Sequence, residues 1–161
     1  MTKVSFYHLT TAPLEQALPV LLEKSLSAGL RVVLMAGSRE RVAHLDAHLW
    51  TFDPPSFLPH GSGRDGTEPQ QPIFLTDADE NPNGADMLVL TDGVSSRHLD
   101  GFARCLNLFD GQDDMAVAQA RAYWKEWNAA GHELIYYQQT ERGGWIEKAR
   151  NTKQGDQDAQ G

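Results

Sequence analysis

The hydrophobic pattern is clearest between Asp110 and Gly131, which reads as one helix with both ends marked. At about 100° per residue, Ala116, Ala120, Tyr123 and Trp127 fall on one stripe, the face expected against a core. Asp113 and Asp114 put negative charge at the start, where the helix dipole favours it, and Gly131 offers a C-terminal stop. Arg121 and Lys125 lie one turn apart on the flank, with Trp124 between that basic pair and the apolar stripe. The commoner meaning of such a pattern is a core helix with a solvated basic edge. The sharper one is a dock for something both aromatic and acidic.

The rest of the chain alternates strands and helices. Val4–Leu9 is short and rich in strand formers, enough to anchor the terminus in a sheet. Thr10 and Thr11 before Pro13 are helix-start chemistry, and Leu14–Ala28 follows with apolar residues at Leu14, Ala17, Leu18, Leu21, Leu22 and Leu26. Pro19 inside that run predicts a kink or a later start, and Gly29 closes it. Arg31–Ala36 is a β-branched apolar run, as in a strand buried on both faces. Gly37 and Ser38 then supply a turn and N-cap for a helix over Arg39–Trp50. The order β-α-β-α with short connections predicts parallel strands joined by right-handed crossovers.

Asp53–Pro72 holds five of the eight prolines and three glycines, and reads as a long irregular surface loop. Ile73–Thr76 and Met87–Leu90 are further strands, separated by a polar turn at Asp77–Ala85. Leu99–Phe109 is expected to be mostly extended, and Leu134–Gln138 to be a final strand with Trp145 packing back. From Arg150 onward the polar composition is that of a disordered tail. The expected fold is a single α/β domain over residues 1–149, a mostly parallel, Rossmann-like sheet flanked by helices.

Composition narrows the classes. The 161 residues suffice for a core without staples, and Cys105 is the only cysteine, which excludes an intrachain disulfide and favours a reducing compartment. The opening MTKVSFYHLTT lacks an apolar run behind a basic cap, and no stretch approaches the roughly 20 apolar residues of a membrane span. A cytoplasmic protein is expected. The net charge of −8 argues against direct nucleic-acid binding, because such binders draw affinity from a basic surface. A positive site must therefore be small and local, as Arg121 and Lys125 would be.

Four motifs suggest chemistry, and each lacks its context. Gly61–Gly66 is a literal G-x-G-x-x-G, but prolines on both sides leave no helix to receive a pyrophosphate. His44 and His48 have zinc-site spacing without the glutamate of the protease motif or a third ligand. Cys105 falls in an apolar strand pattern, and Ser95, Ser96 and His98 carry no nucleophile-elbow motif. Asp77, Asp79 and Glu80 read as solvated turn formers. With no catalytic, metal or cofactor set assembled, a binding module is the expected class.

An ordered set of segments resembles the chi subunit of bacterial DNA polymerase III. It comprises Phe6-Tyr7, the RVVLMA strand, Leu45-Asp46-x-x-Leu49-Trp50, Ser56-Phe57-x-Pro59-His60, Pro72-Ile73, Ala120-Arg121-x-x-Trp124-Lys125 and Ala130-Gly131. The resemblance implies one α/β domain without catalytic activity. It implies binding to the acidic, phenylalanine-ended tail of single-stranded-DNA-binding protein, to the psi subunit of the clamp loader and, in some bacteria, to an XPD-type helicase. It places Arg121, Trp124 and Lys125 in the tail pocket, with Trp124 standing where the family usually has tyrosine. Phe57 is expected to line the same pocket, with Trp50 and Phe109 near it. The competing expectation is a nucleotide- or phosphate-binding enzyme on the same fold, since fold does not decide function.

Overall fold

The computed structural model describes residues 2–51, 61–62, 72–142 and 144–151. In chain order the elements are β1 (Lys3–Leu9), α1 (Leu14–Ser27), β2 (Val32–Met35), α2 (Arg39–Thr51), β3 (Gly61–Ser62) and β4 (Ile73–Thr76). They continue as β5 (Met87–Leu90), β6 (Arg104–Asp110), α3 (Asp114–Ala129), β7 (Glu133–Gln139) and β8 (Trp145–Arg150). The strands form one sheet in the order β3-β4-β2-β5-β6-β1-β7-β8. Every pairing is parallel except β7 with β8. The expected α/β architecture is the observed one.

Strand alternation divides the core in two. Val32, Leu34, Ile73, Leu75, Met87, Val89, Leu106 and Leu108 face one side and pack with Leu18, Leu22, Leu45 and Leu49 of α1 and α2. Val4, Phe6, Val33, Met35, Leu88, Leu90, Cys105, Phe109 and Leu134 face the other, against Ala120 and Trp127 of α3. The neighbouring strands β1 and β6 thus feed α1 and α3 on opposite faces, which opens a crevice at their carboxyl ends.

The helix ends follow local chemistry. The Asp113 carboxylate caps α3 by accepting from the amides of Met115 and Ala116 at 3.0 and 3.4 Å, and Gly131 ends it at φ +91°. Ser38 caps α2 by accepting from the Arg41 amide at 3.1 Å. At α1 the expectation fails, because Pro13 occupies the cap position and no side chain caps it. The hydroxyls of Thr10 and Thr11 instead donate to the carbonyls of Gln139 and Thr140.

Pro19 neither delays nor ends α1; it lies buried within it. A proline cannot donate to the carbonyl four residues earlier, that of Glu15. His48 of α2 donates to that carbonyl from Nε2 at 2.6 Å, so a second helix supplies the missing bond.

In the C-terminal half and the long loop one expectation holds and three need correction. Leu99–Phe109 is mostly extended, as expected, with a short 3-10 turn at Leu99–Gly101 leading towards β6. Trp145 packs edge-on against Tyr7, as expected, but it also begins a strand, β8, that the sequence reading did not assign. That strand includes Arg150, and Asn151 exchanges hydrogen bonds with Leu134 and donates to Asn128 and His132, so order extends past the predicted start of the tail. Within Asp53–Pro72, Gly61–Ser62 pairs with Phe74–Leu75 as an edge strand; apart from these and Pro72, the loop lies outside the described residues.

Candidate functional site

The flank of α3 carries the cationic pair the sequence singled out. Arg121 and Lys125 are exposed, and neither forms an ion pair or hydrogen bond among the described residues. Trp124 is partly buried beside them, its ring 5.5 Å from Phe6 and 6.3 Å from Tyr136. Trp127, one turn on, is buried against Phe6 at 5.6 Å and stacks on Tyr123 at 4.9 Å. Phe6 and Tyr136 are register partners on β1 and β7, so Trp124 rests on a wall built from two adjacent strands. Such fixed aromatic packing leaves a flat apolar surface with unspent positive charge at its rim.

A polar pair continues this wall. His8 Nδ1 and the Tyr136 hydroxyl are 2.5 Å apart, and both rings meet Phe109, at 5.2 and 5.9 Å. The His8 ring lies over Gly111: a Cβ there would come within 2.0 Å of its Nε2 and Cδ2 and 2.7 Å from the Leu9 carbonyl. Only glycine leaves room for that ring. Burial lowers the His8 pKa, and the Arg121 guanidinium lowers it further, against an opposing pull from Asp110. Burial raises the Tyr136 pKa, with Arg121 opposing.

Of the six residues expected at a binding site, Arg121, Trp124, Lys125 and Phe109 occupy this end of the molecule; Phe109 reaches the cluster through His8 and Tyr136. Trp50 belongs to α2 on the opposite face of the sheet. Its side chain, like Phe57, lies outside the described residues. The sequence reading missed Phe6, His8 and Tyr136 as wall residues. Their signal was strand alternation, which sends Phe6 and His8 of β1 to the same face.

The crevice at the ends of β1 and β6 is the second place to look for a ligand. It encloses about 680 Å³ and is lined by Leu9–Glu15, Arg41, Asp92, Asn107–Asp110, Asp113 and Tyr123 among others. In α/β folds the loop after such a strand offers backbone N–H groups to a phosphate. Here the amides of Thr10, Thr11 and Ala12 all donate to Oε1 of the buried Gln139, at 3.0–3.1 Å. The first amides of α3 are taken by Asp113. Glu15, Asp92, Asp110 and Asp113 face a single lining cation, Arg41, which itself bridges Asp92 and Glu15 at 3.2 and 3.7 Å.

The tempting motifs resolve into structural roles. His44 meets the Glu15 carboxylate at 3.1 Å while His48 takes the Glu15 carbonyl, so the pair serves α1. Cys105 is buried, and burial pushes its thiol pKa far up, which makes it inert. Asp79 and Glu80 do more than face solvent. Asp79 accepts from the Ser96 hydroxyl at 2.6 Å and the Arg97 amide at 2.8 Å, and Glu80 accepts from the Thr76 hydroxyl at 2.6 Å. No cluster of three metal-ligating side chains forms among the described residues.

Comparison with known proteins decides the family. Residues 1–135 match the family model described as DNA polymerase III chi subunit, HolC. The chain belongs to the DNA polymerase III chi subunit family. It is 33% identical over 90 residues to the "Probable DNA polymerase III subunit chi" of Rickettsia prowazekii, a match covering 56% of this chain and about half, 54%, of that relative. It is 28% identical over 123 residues to the DNA polymerase III subunit chi of Pseudomonas aeruginosa, covering 74% of this chain and 84% of the other. The matched region contains β1 through α3, and thus Arg121, Trp124 and Lys125. Family membership places the chain in DNA replication, and no described helix is long and apolar enough to cross a membrane.

Proposed function

We propose that this chi-family chain is a non-catalytic adaptor of the bacterial replicase. It binds the acidic, phenylalanine-ended C-terminal tail of single-stranded-DNA-binding protein on the α3 flank and joins it to the clamp loader through psi. An XPD-type helicase is a further partner of the same class, and DNA is reached only through these proteins, in the cytoplasm. The observation that carries the reading is the pair of unspent cations, Arg121 and Lys125, at the rim of the aromatic wall formed by Trp124, Phe6 and Tyr136.

The energetics suit a tether. Burying a terminal phenylalanine against Trp124 contributes roughly 1.5–3 kcal/mol. Each charge-assisted hydrogen bond to a tail carboxylate adds about 1.5–3 kcal/mol, and ordering a flexible tail costs several. The balance is on the order of −8 kcal/mol, a micromolar affinity that weakens with salt. The competing nucleotide-enzyme reading has against it a phosphate loop already filled by Gln139 and a crevice edged with carboxylates.

The test is a fluorescence-polarisation titration with an acidic peptide ending in free Ile-Pro-Phe, at two salt concentrations. Arg121→Ala, Trp124→Ala and Lys125→Ala should each weaken binding, with the charge variants losing most of the salt dependence. Binding that ignores all three substitutions moves the pocket elsewhere. No binding to folded wild-type protein rejects the adaptor reading.

A further inference from the structure

The reading above leaves open how the site recognises the end of a chain rather than any acidic aromatic segment. A guanidinium alone does not separate a terminal carboxylate from an aspartate side chain. A second donor at a fixed distance from the apolar wall does, because it ties the position of the carboxylate to that of the ring beside it. Tyr136 is built for this role. Its ring packs on Phe6 and Trp124, and its hydroxyl meets His8 Nδ1 at 2.5 Å. His8 in turn is pressed into a niche that exists only because residue 111 has no side chain. Two strands, a glycine and a helix thus converge to hold one phenol oxygen.

We infer that the Tyr136 hydroxyl, held by His8, is the second hydrogen-bond donor to the terminal carboxylate of the bound tail, beside Arg121. The inference rests on the tail-binding reading and adds which side chains tell a free C-terminal carboxylate from any other acidic group next to an aromatic ring. A phenol has one proton. When His8 Nδ1 carries hydrogen it donates to the Tyr136 oxygen, and the phenol proton is left to donate to the ligand; when Nδ1 is bare, that proton is spent on the imidazole. Tyr136 is therefore the specificity-determining residue and His8 a positioning residue. The charged groups that act on His8 are Arg121 of α3, which disfavours its protonation, and Asp110 at the end of β6, which favours it. An incoming carboxylate offsets Arg121, so binding is coupled to protonation of His8 and strengthens as pH falls through that titration.

The experiment uses the full chain and two peptides, an acidic sequence ending in Ile-Pro-Phe with a free carboxylate and the same sequence amidated. Tyr136→Phe keeps the ring and removes the hydroxyl. At pH 5.5 it should weaken the free-acid peptide about tenfold and the amide less than about twofold, in keeping with one hydrogen bond to a charged group. His8→Gln should abolish the rise in affinity between pH 8 and pH 5.5 while leaving the pH 8 value within about threefold of wild type. Arg121→Ala separates the two levels of the argument. If it weakens binding while Tyr136→Phe affects acid and amide alike, or neither, the inference falls and the tail reading stands. If wild type binds neither peptide, both fall together.

Discussion

Among the described residues, the crevice at the ends of β1 and β6 and the flank of α3 are two places where a ligand could be sought. They differ in what their polar groups are already doing. In the crevice, three successive amides serve Gln139, the α3 amides serve Asp113, and Arg41 is held between Asp92 and Glu15. On the flank, Arg121 and Lys125 form no ion pair or hydrogen bond among the described residues. Topology points to the crevice, and chemistry points to the flank. This chain keeps an α/β scaffold and its switch point while one glutamine closes the anion site, because three N–H groups satisfied internally have little left to gain from a phosphate.

The largest effect should come from opening that closure. Gln139→Leu strands three backbone donors, and partial access of water limits the loss to about 3 kcal/mol in urea denaturation. Gln139→Glu keeps acceptor oxygens and should lose much less. Inorganic phosphate should not bind to either variant, given the four carboxylates around the crevice. Phosphate binding by Gln139→Leu with unchanged stability would make the crevice a dormant site and overturn the contrast.

On the flank the corresponding structural probe is Gly111→Ala. The new methyl overlaps His8 and approaches the Leu9 carbonyl, so the His8 ring must leave its niche and the backbone must shift. A loss of about 2 kcal/mol is expected in thermal or chemical unfolding, typical of overpacking. Arg121→Ala, exposed and unpaired, should leave stability within about 0.5 kcal/mol. An equally large loss for Arg121→Ala would mean that the cation is part of the fold rather than held in reserve.

A smaller effect belongs to the crevice side, where Glu15 sits. His48→Ala removes the donor to the Glu15 carbonyl and should cost about 1 kcal/mol. Pro19→Ala restores a native donor to the same carbonyl, so the loss on removing His48 should shrink in the Pro19→Ala background. Equal losses in both backgrounds would deny that His48 repairs the gap left by Pro19.

These contrasts also show what the sequence could carry. The end signals of α3 and its stripe of Ala116, Ala120, Tyr123 and Trp127 were legible because they are local and follow a 3.6-residue period. So were β2, β4 and β5, continuous apolar runs buried on both faces. Strand β8 was not, because its largely exposed WIEKAR has no alternation to reveal it. Arg121, Trp124 and Lys125 share one helix and could be grouped by spacing. Their opposing wall could not, since His8 and Tyr136 are 128 residues apart and meet only through strand order. The threonines before α1 carried the right residue types for a cap and were recruited by β7 instead, a tertiary contact overriding a local preference.

The smallest expected effect tests whether the flank's charge reaches its wall. His8 titrates below the ordinary histidine value because burial disfavours its charged form, with Arg121 adding repulsion and Asp110 opposing it. A group whose folded pKa is lowered in this way stabilises the fold above its unfolded pKa. That contribution is lost as pH falls from the ordinary histidine value through the lowered one, since the unfolded chain takes up the proton first. Arg121→Ala removes the repulsion and leaves burial in place. The His8 pKa, followed by NMR of the ring protons, should therefore move up but stay below the ordinary value, and the acid-side loss of stability should become slightly smaller. An unmoved His8 would mean that Arg121 points away into solvent, screened from the wall; the flank would then be two separate features, a basic edge and an aromatic patch, rather than one site.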